Sequence, residues 1–436
     1  MNKSKLILLV ACSLQLVTSY SQDTLSFQRC LDIAFENNLN TLRQKNQEDI
    51  YKLNIKKSEN ARLPNVNGNF NANANWGRGI DPYTNTYANH QFNTYNGGLS
   101  FDLNLFNGFY NINNIKLQKQ DLETNKSQWQ KIKNDLTIDI AMRYTNILYL
   151  QDMIKNIKEQ LKSSKDNIDF TQKKIDGGVL AKREIYKAIA QKDNEELNLI
   201  TAENNYEINL LELKQLMNMD VNKPIFLKDI STKNSSKIDK SEFLAKAIDN
   251  APSLKLQYSN LKKSEISLQM AKSGYYPTIS FGGQLGSTYS TVNKLFTFRE
   301  QLDNNFSYGL NLIARIPIFN QFSTRNKISE AKYNIIASHN QIEIEKQNLY
   351  KTLNKAYLDL VASKKKYEVS QSSLRSNQIN YDTEKIKYEA GRITIQELNI
   401  TKSNLFSSIS NSIKDKYELI FNGMVYKIYE GEKIVE

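Results

Sequence analysis

The 436-residue chain carries 58 Lys and Arg against 46 Asp and Glu, a formal net charge of +12, and its mean hydropathy is −0.57. That average excludes a bundle of apolar membrane-spanning helices. The lysines are dispersed along long helical stretches rather than gathered in one patch, so they read as solvated surface and not as a nucleic-acid footprint.

The chain opens on Lys3 and Lys5, the apolar run LILLVACSLQLV, and then TSYSQ. This is the pattern of an export signal over residues 1–21, with an apolar part too short for a membrane-spanning helix. Cleavage after Ser21 removes two lysines and no acids and leaves a net charge of +10. LVAC, ending at Cys12, also fits a lipoprotein cleavage box, although the apolar residues beyond it favour ordinary cleavage. Only Cys30 then remains, so an exported chain of this kind has no internal disulfide and is held by packing.

Residues 22–63 read as helix. The next stretch, NVNGNFNANANW, puts asparagine at 65, 67, 69, 71, 73 and 75, with Val66, Gly68, Phe70, Ala72, Ala74 and Trp76 between them. Period two signals a strand. Asparagine is a poor strand former, so this segment answers to surroundings that are polar on one side and apolar on the other. GGLSFDLNLF (97–106) repeats the pattern, with Leu99, Phe101, Leu103 and Leu105 opposed to Ser100, Asp102 and Asn104. Residues 64–108 are therefore expected as a β-hairpin around an aromatic, turn-rich loop at 77–94. No proline or glycine interrupts 109–176, which predicts one long helix. It turns at GGVLAK (177–182) and returns to 219, completing an α-hairpin over 109–219.

The polar stretch 220–243 reads as a surface linker, and then the plan starts again. A helix is expected over 244–276, two strands within 277–321, a second α-hairpin over 322–424 with its turn at AGRIT (390–394), and a polar tail over 425–436. Leu31 and Leu244, Pro64 and Pro277, Phe106 and Phe319, Gly178 and Gly391, and Glu184 and Glu397 all stand 213 residues apart. This is one duplicated unit, not a solenoid of short repeats. The second pair of strands keeps the parity. Ile279, Phe281, Leu285 and Tyr289 oppose Thr278, Ser280, Gln284 and Thr288. Leu310, Leu312, Ala314, Ile316 and Ile318 oppose Asn311 and Arg315, with breaks at Ile313 and Pro317.

The long helices carry a matched irregularity. A seven-residue stripe runs Ile115, Leu122, Trp129, Leu136, shifts by four, and continues Ile140, Ile147, Ile154, Leu161, Ile168, Ile175. The second copy runs Ile328, Ile335, Ile342, Leu349, then Leu353, Leu360, Tyr367, Leu374, Tyr381, Tyr388. A sustained heptad makes a left-handed coiled coil, and an insertion of four locally unwinds it. The expected fold is thus an α+β membrane channel: long antiparallel coiled-coil hairpins plus four strands per chain.

Segments of about ten residues, apolar on one side and polar on the other, mark a transmembrane β-barrel. Trp76, Tyr83, Tyr87, Phe92, Tyr95, Tyr289, Phe296 and Tyr308 could supply its interfacial aromatic girdle. Four strands enclose no lumen, since about eight are needed. Hydrocarbon does not tolerate the open edges of a four-stranded sheet. The chain must pool strands with copies of itself, in a dimer, trimer or tetramer. On that reading Asn67, Asn69, Asn71, Asn73, Asp102, Gln284 and Arg315 face a water-filled lumen, and the opposite face meets outer-membrane lipid.

The duplicated strand–strand–long-hairpin units, the LxxAxxxN starts at 31 and 244, the LFN and IFN strand exits and the glycine tips resemble the TolC family of outer-membrane efflux and secretion channels. The resemblance covers nearly the whole mature chain. It implies a homotrimer with one shared 12-stranded β-barrel and an α-helical barrel reaching across the periplasm. It also implies a periplasmic adaptor and an inner-membrane transporter as partners. Adaptors dock at the helical tips of that family, here Gly178, Val179, Leu180 and Ala181, and Gly391, Arg392, Ile393 and Thr394. Six residues past the tip glycine the family has aspartate at the closed end of the pore; this chain has Glu184 and Glu397, which also suit a solvated helix face. Tyr388 resembles a tyrosine that ties the closed coils together, and seam packing would explain it equally.

Catalytic chemistry has little to stand on. The two histidines, His90 and His339, lack ligand-spaced partners, and there is no CxxC, phosphate-loop lysine or HExxH. No enzyme, cofactor or metal site is expected. The expected function is the passive exit duct of a tripartite efflux or type I secretion system. The alternative is a soluble periplasmic coiled-coil adaptor or scaffold.

Overall fold

The computed structural model describes residues 24–80, 85–89, 91–230 and 239–432. The signal segment, Cys12, Tyr83 and His90 lie outside them.

β1 (Thr24–Leu25) leads into α1 (Phe27–Asn37), whose first turn is capped by the Ser26 hydroxyl accepting from the Arg29 amide. α2 (Leu39–Asn60) precedes β2 (Asn65–Asn75), β3 (Arg78–Ile80), β4 (Tyr87–Asn89) and β5 (Phe92–Asn107). α3 (Tyr110–Asp176) and α4 (Arg183–Leu216) follow, then β6 (Phe226–Leu227), α5 (Lys240–Asn250) and α6 (Pro252–Lys272). The chain ends through β7 (Thr278–Ser290), α7 (Phe298–Asn304), β8 (Ser307–Arg315), α8 (Ser323–Glu389) and α9 (Ile395–Glu430). No helix among the described residues is long and apolar enough to cross a membrane.

The N-terminal helix of each copy is split where the sequence suggests continuity. Proline forces the residue before it out of helical space, so Ala251 is extended (ψ 108°) and Pro252 opens α6. The first copy breaks at Asn38, 213 residues earlier, without a proline. There the Asn38 side-chain oxygen accepts from the Asn40 amide and its nitrogen donates to the Leu216 carbonyl.

Two compact units emerge: residues 1–42, 132–251 and 349–436, and residues 43–131 and 252–348. The first has a core of Phe27, Cys30, Leu31 and Ala34 from α1, Ile140, Tyr144 and Ile147 from α3, Leu213 from the end of α4 and Met217 that caps it, and Ile420 and Met424 from α9. Phe27 meets Tyr144 edge-on at 5.7 Å. The Tyr144 hydroxyl donates to the Lys228 carbonyl at 2.6 Å, beside the two-residue parallel bridge of β1 with β6. The linker is therefore no simple surface excursion: Ile225 and Leu227 enter this core. α9 also runs six residues past 424, because Ile428 is buried and Gly431 closes it in the left-handed region.

The second unit is built on an antiparallel sheet in the order β2-β5-β7-β8. Its register repeats the duplication. Adding 213 to both members of Asn65↔Asp102 yields Thr278↔Arg315, and Gly68↔Leu99 becomes Phe281↔Leu312; both are observed pairs. A bulge between Asn104 and Phe106 brings Phe106 opposite Ile279, so Leu105 leaves the apolar parity to which its spacing assigns it. The described parts of the loops carry short elements. β3 pairs with β4, and α7 carries a capping box between Thr297 and Glu300.

Every position of the two heptad stripes, stutter included, is buried or half-buried.

Candidate functional site

Directly opposed residues of an antiparallel sheet point to the same face. The pairings therefore sort this sheet into rows. Asn67, Ser100, Gln284 and Gly309 form one row, and Asn69, Gly98, Gly286 and Ser307 another. Asn65, Asp102, Gly282 and Asn311 follow, as do Asn71 with Asn96 and Thr288, and Asn73 with Thr94 and Ser290. Arg315 sits with Thr278 and Asn107 on the same side. The seven polar residues singled out above thus share one face of one sheet. Asp102 and Arg315 are the only charged side chains among the described strand residues of that face, and they are duplication counterparts.

The intervening rows are apolar: Val66, Phe101, Gly283 and Leu310; Gly68, Leu99, Leu285 and Tyr308; Leu103, Phe281 and Leu312. Phe101 meets Phe281 at 5.4 Å and Tyr95 meets Tyr289 at 6.0 Å. Gly283 makes room for this packing, since a Cβ there would fall 2.4 Å from Phe101 Cε1. Phe70, Leu310 and Leu312 are about 70% exposed, an apolar surface that none of the described residues covers. Of the aromatics suited to a girdle, Trp76, Tyr87 and Tyr308 are well exposed, but Phe92 is buried.

The other candidate residues lie at the helical tips. α3 and α8 end alike. Gly178 (φ 73°) and Gly391 (φ 71°) are left-handed. Their amides bond Ile175 and Tyr388 carbonyls, while Val179 and Arg392 amides reach back to Lys174 and Lys387. This double closure satisfies the last free carbonyls and demands positive φ at the glycine.

Past the turn the two tips start their helices differently. Thr394 caps α9: its hydroxyl accepts from the Glu397 amide, and the Thr394 amide and hydroxyl donate to Glu397 Oε2 at 2.7 and 2.8 Å. Those bonds hold the Glu397 carboxyl below its usual range. The counterpart of Thr394 is Ala181, which has no hydroxyl to offer. Glu184 turns instead to Lys187 and Arg183, at 3.1 Å each, and these cations lower its carboxyl too. Thr394 and Glu397 are brought together; Glu184 keeps to its own helix start.

Tyr388 is engaged across helices. Its hydroxyl accepts from Lys174 Nζ at 3.0 Å, and the same ammonium stands 4.8 Å over its ring and 4.7 Å over Phe170. Phe170 meets Tyr388 edge-on at 5.7 Å. This cluster joins α3 to α8. Lys174 and Phe170 are absent from any sequence motif. The only hint was the tyrosine itself, standing where the first copy has Ile175.

Residues 31–219 and 243–420 match the family described as outer membrane efflux protein. The chain is 21% identical to outer membrane protein TolC of Escherichia coli (strain K12) over 325 residues, which covers 72% of this chain and 64% of that relative. Its fold is similar to the Campylobacter jejuni CmeC outer membrane channel (TM-score 0.81, 16% identity, 93% of this chain and 85% of that one). It is similar as well to the open state of the Neisseria gonorrhoeae MtrE outer membrane channel (TM-score 0.76, 17% identity, 93% and 89%).

Proposed function

The chain belongs to the outer membrane efflux protein family, and from that premise we propose that three copies form the exit duct of an export machine. It is an outer-membrane protein. The strand segments 64–108 and 277–321 line and seal the passage through the outer membrane, and the helical hairpins 109–219 and 322–424 extend it through the periplasm. One observation carries this reading: a four-stranded sheet whose rows are polar on one face, Ile313 and Phe92 apart, and apolar on the other, Asn93 and Ser287 apart, with the outer edges of β2 and β8 unpaired among the described strands. A lone sheet of this kind is incompatible with lipid, whereas twelve strands close around water.

The tips, Gly178–Ala181 and Gly391–Thr394, are the docking points for a periplasmic adaptor, which couples the duct to an inner-membrane transporter. The Lys174–Tyr388 contact supports a role for Tyr388 in holding coils together, and Glu184 and Glu397 line the aperture near the same tips. Cargo then passes without chemistry in the duct.

The test is membrane fractionation followed by mass determination of the detergent-solubilised protein. A trimer recovered from the outer membrane is expected. A monodisperse monomer released without detergent would overturn the proposal.

A further inference from the structure

The sheet has two open edges, and the duplication says how they meet. On the β8 side, the end of β7 is already closed off. The Ser290 amide donates to Gln301 Oε1 at 3.0 Å, and Asn305 Nδ2 donates to the Thr288 carbonyl at 2.7 Å. That leaves the outer edges of β2 and β8 unpaired among the described strands. Within the chain, β5 of the first copy pairs with β7 of the second. By the offset of 213, β8 is the counterpart of β5, and β2 is the counterpart of β7.

We propose that β8 of one copy pairs with β2 of the next in the β5–β7 register, so that Leu312 lies opposite Ala72, Ile313 opposite Asn71 and Arg315 opposite Asn69. The inference rests on the pooled-barrel reading and adds the register. Its warrant is that the β2–β5 register already recurs in β7–β8 without a slip. Each seam pair is an observed β5–β7 pair moved by the offset: Leu99↔Leu285, Ser100↔Gln284 and Asp102↔Gly282 are the three sources. Faces are kept, since the seam sets polar against polar and apolar against apolar, apart from Ile313 and Pro317.

The register also assigns residues 316–320, which carry no strand in the single chain although they correspond to the end of β5. They extend β8 against Asn67 and Val66 of the next copy. The bulge at Asn104 and Phe106 reappears at Pro317 and Phe319, a position that suits proline because a bulge spares it a ladder donor. Ile318, 95% exposed, takes the unpaired place of Leu105.

The turns beyond give independent support. Gly108 and Phe109 are both left-handed, and so are their counterparts Gln321 and Phe322. Phe106 meets Phe109 edge-on at 5.1 Å, and Phe319 meets Phe322 edge-on at 5.4 Å. Phe109 goes on to pack against Tyr276 at 5.6 Å. Among the described residues Phe322 has no such neighbour, and it is 58% exposed against 47% for Phe109; Leu63, the counterpart of Tyr276, is exposed as well. The seam brings Phe322 onto Leu63 of the next copy.

Opposed pairs in antiparallel sheets alternate between wide and narrow, so of two adjacent pairs one is narrow. Two double variants, Ala72→Cys with Leu312→Cys and Asn71→Cys with Ile313→Cys, are oxidised in outer membranes and read on denaturing gels. At least one is expected to give covalent dimers and trimers, with none from the single cysteines. Register-shifted controls pair Leu312→Cys with Ala74→Cys or Phe70→Cys. Stronger cross-linking in a control, or none in any pair while native mass still shows a trimer, overturns the register. A monomeric parent protein overturns the barrel reading itself. Phe322→Asp should lower trimer yield as Leu63→Asp does; unchanged yield in both would contradict the turn contact.

Discussion

Thr394 shows how one hydroxyl decides the fate of a carboxylate three residues further along. Removing an N-cap threonine costs about 1 kcal/mol. Thr394→Ala is expected to speed hydrogen exchange in the first turn of α9 several-fold and leave α4, which has no such cap, unchanged. The pH dependence follows from the lowered Glu397 carboxyl: its stabilisation is complete above the ordinary carboxylate value and is lost as pH falls through the lower folded value. Exchange at this turn should therefore rise only below about pH 4. Glutamine also fits a capping box. Glu397→Gln thus separates charge from cap: cation preference in planar bilayers should fall, while first-turn exchange should rise less than in Thr394→Ala. Unchanged selectivity would mean that the aperture's charge lies elsewhere. Tyr388 offers a second test. Lys174→Met removes a charged hydrogen bond and two cation–π contacts, together about 1–3 kcal/mol at a partly exposed site. About tenfold more frequent opening is expected for each 1.4 kcal/mol. Tyr388→Phe keeps the ring and should have the smaller effect; a silent Lys174→Met would mean that the cluster only packs.

At the level of elements, the sheet faces make opposite demands. A lysine mid-membrane on the lipid side costs about 2–4 kcal/mol. Phe101→Lys and Leu103→Lys should therefore reduce trimer recovered from the outer membrane, and Asn69→Lys should not. Equal loss in all three would refute the assignment of faces. The alternation behind this prediction is legible without a structure, because period two is carried by the strand itself whatever lies beside it. The long helices are legible for a similar reason, since a heptad and its stutter state their own geometry. What the sequence leaves hidden depends on neighbours. The bulge that displaces Leu105 is a property of the pairing with β7. The break at Asn38 depends on a carbonyl 178 residues away. Lys174 became a partner of Tyr388 only once α3 and α8 were side by side.

For the whole molecule, the duplication sets how charge is distributed around the pore of the proposed trimer. Asp102 and Arg315 occupy equivalent places in the two copies, so three copies alternate acid and base on an otherwise neutral amide wall. The wall's own selectivity is then weak despite the chain's formal net charge of +12. Asp102→Asn and Arg315→Gln should shift the reversal potential in opposite directions, the first toward anions and the second toward cations. In the proposed channel the asparagine face encloses water and the phenylalanine face meets lipid. Single-channel recording of Asn69→Cys and Phe101→Cys, each exposed to a membrane-impermeant charged thiol reagent, tests it most directly. Stepwise loss of conductance in Asn69→Cys, in up to three steps, with none in Phe101→Cys, is the predicted result. Block through Phe101→Cys and none through Asn69→Cys would contradict it.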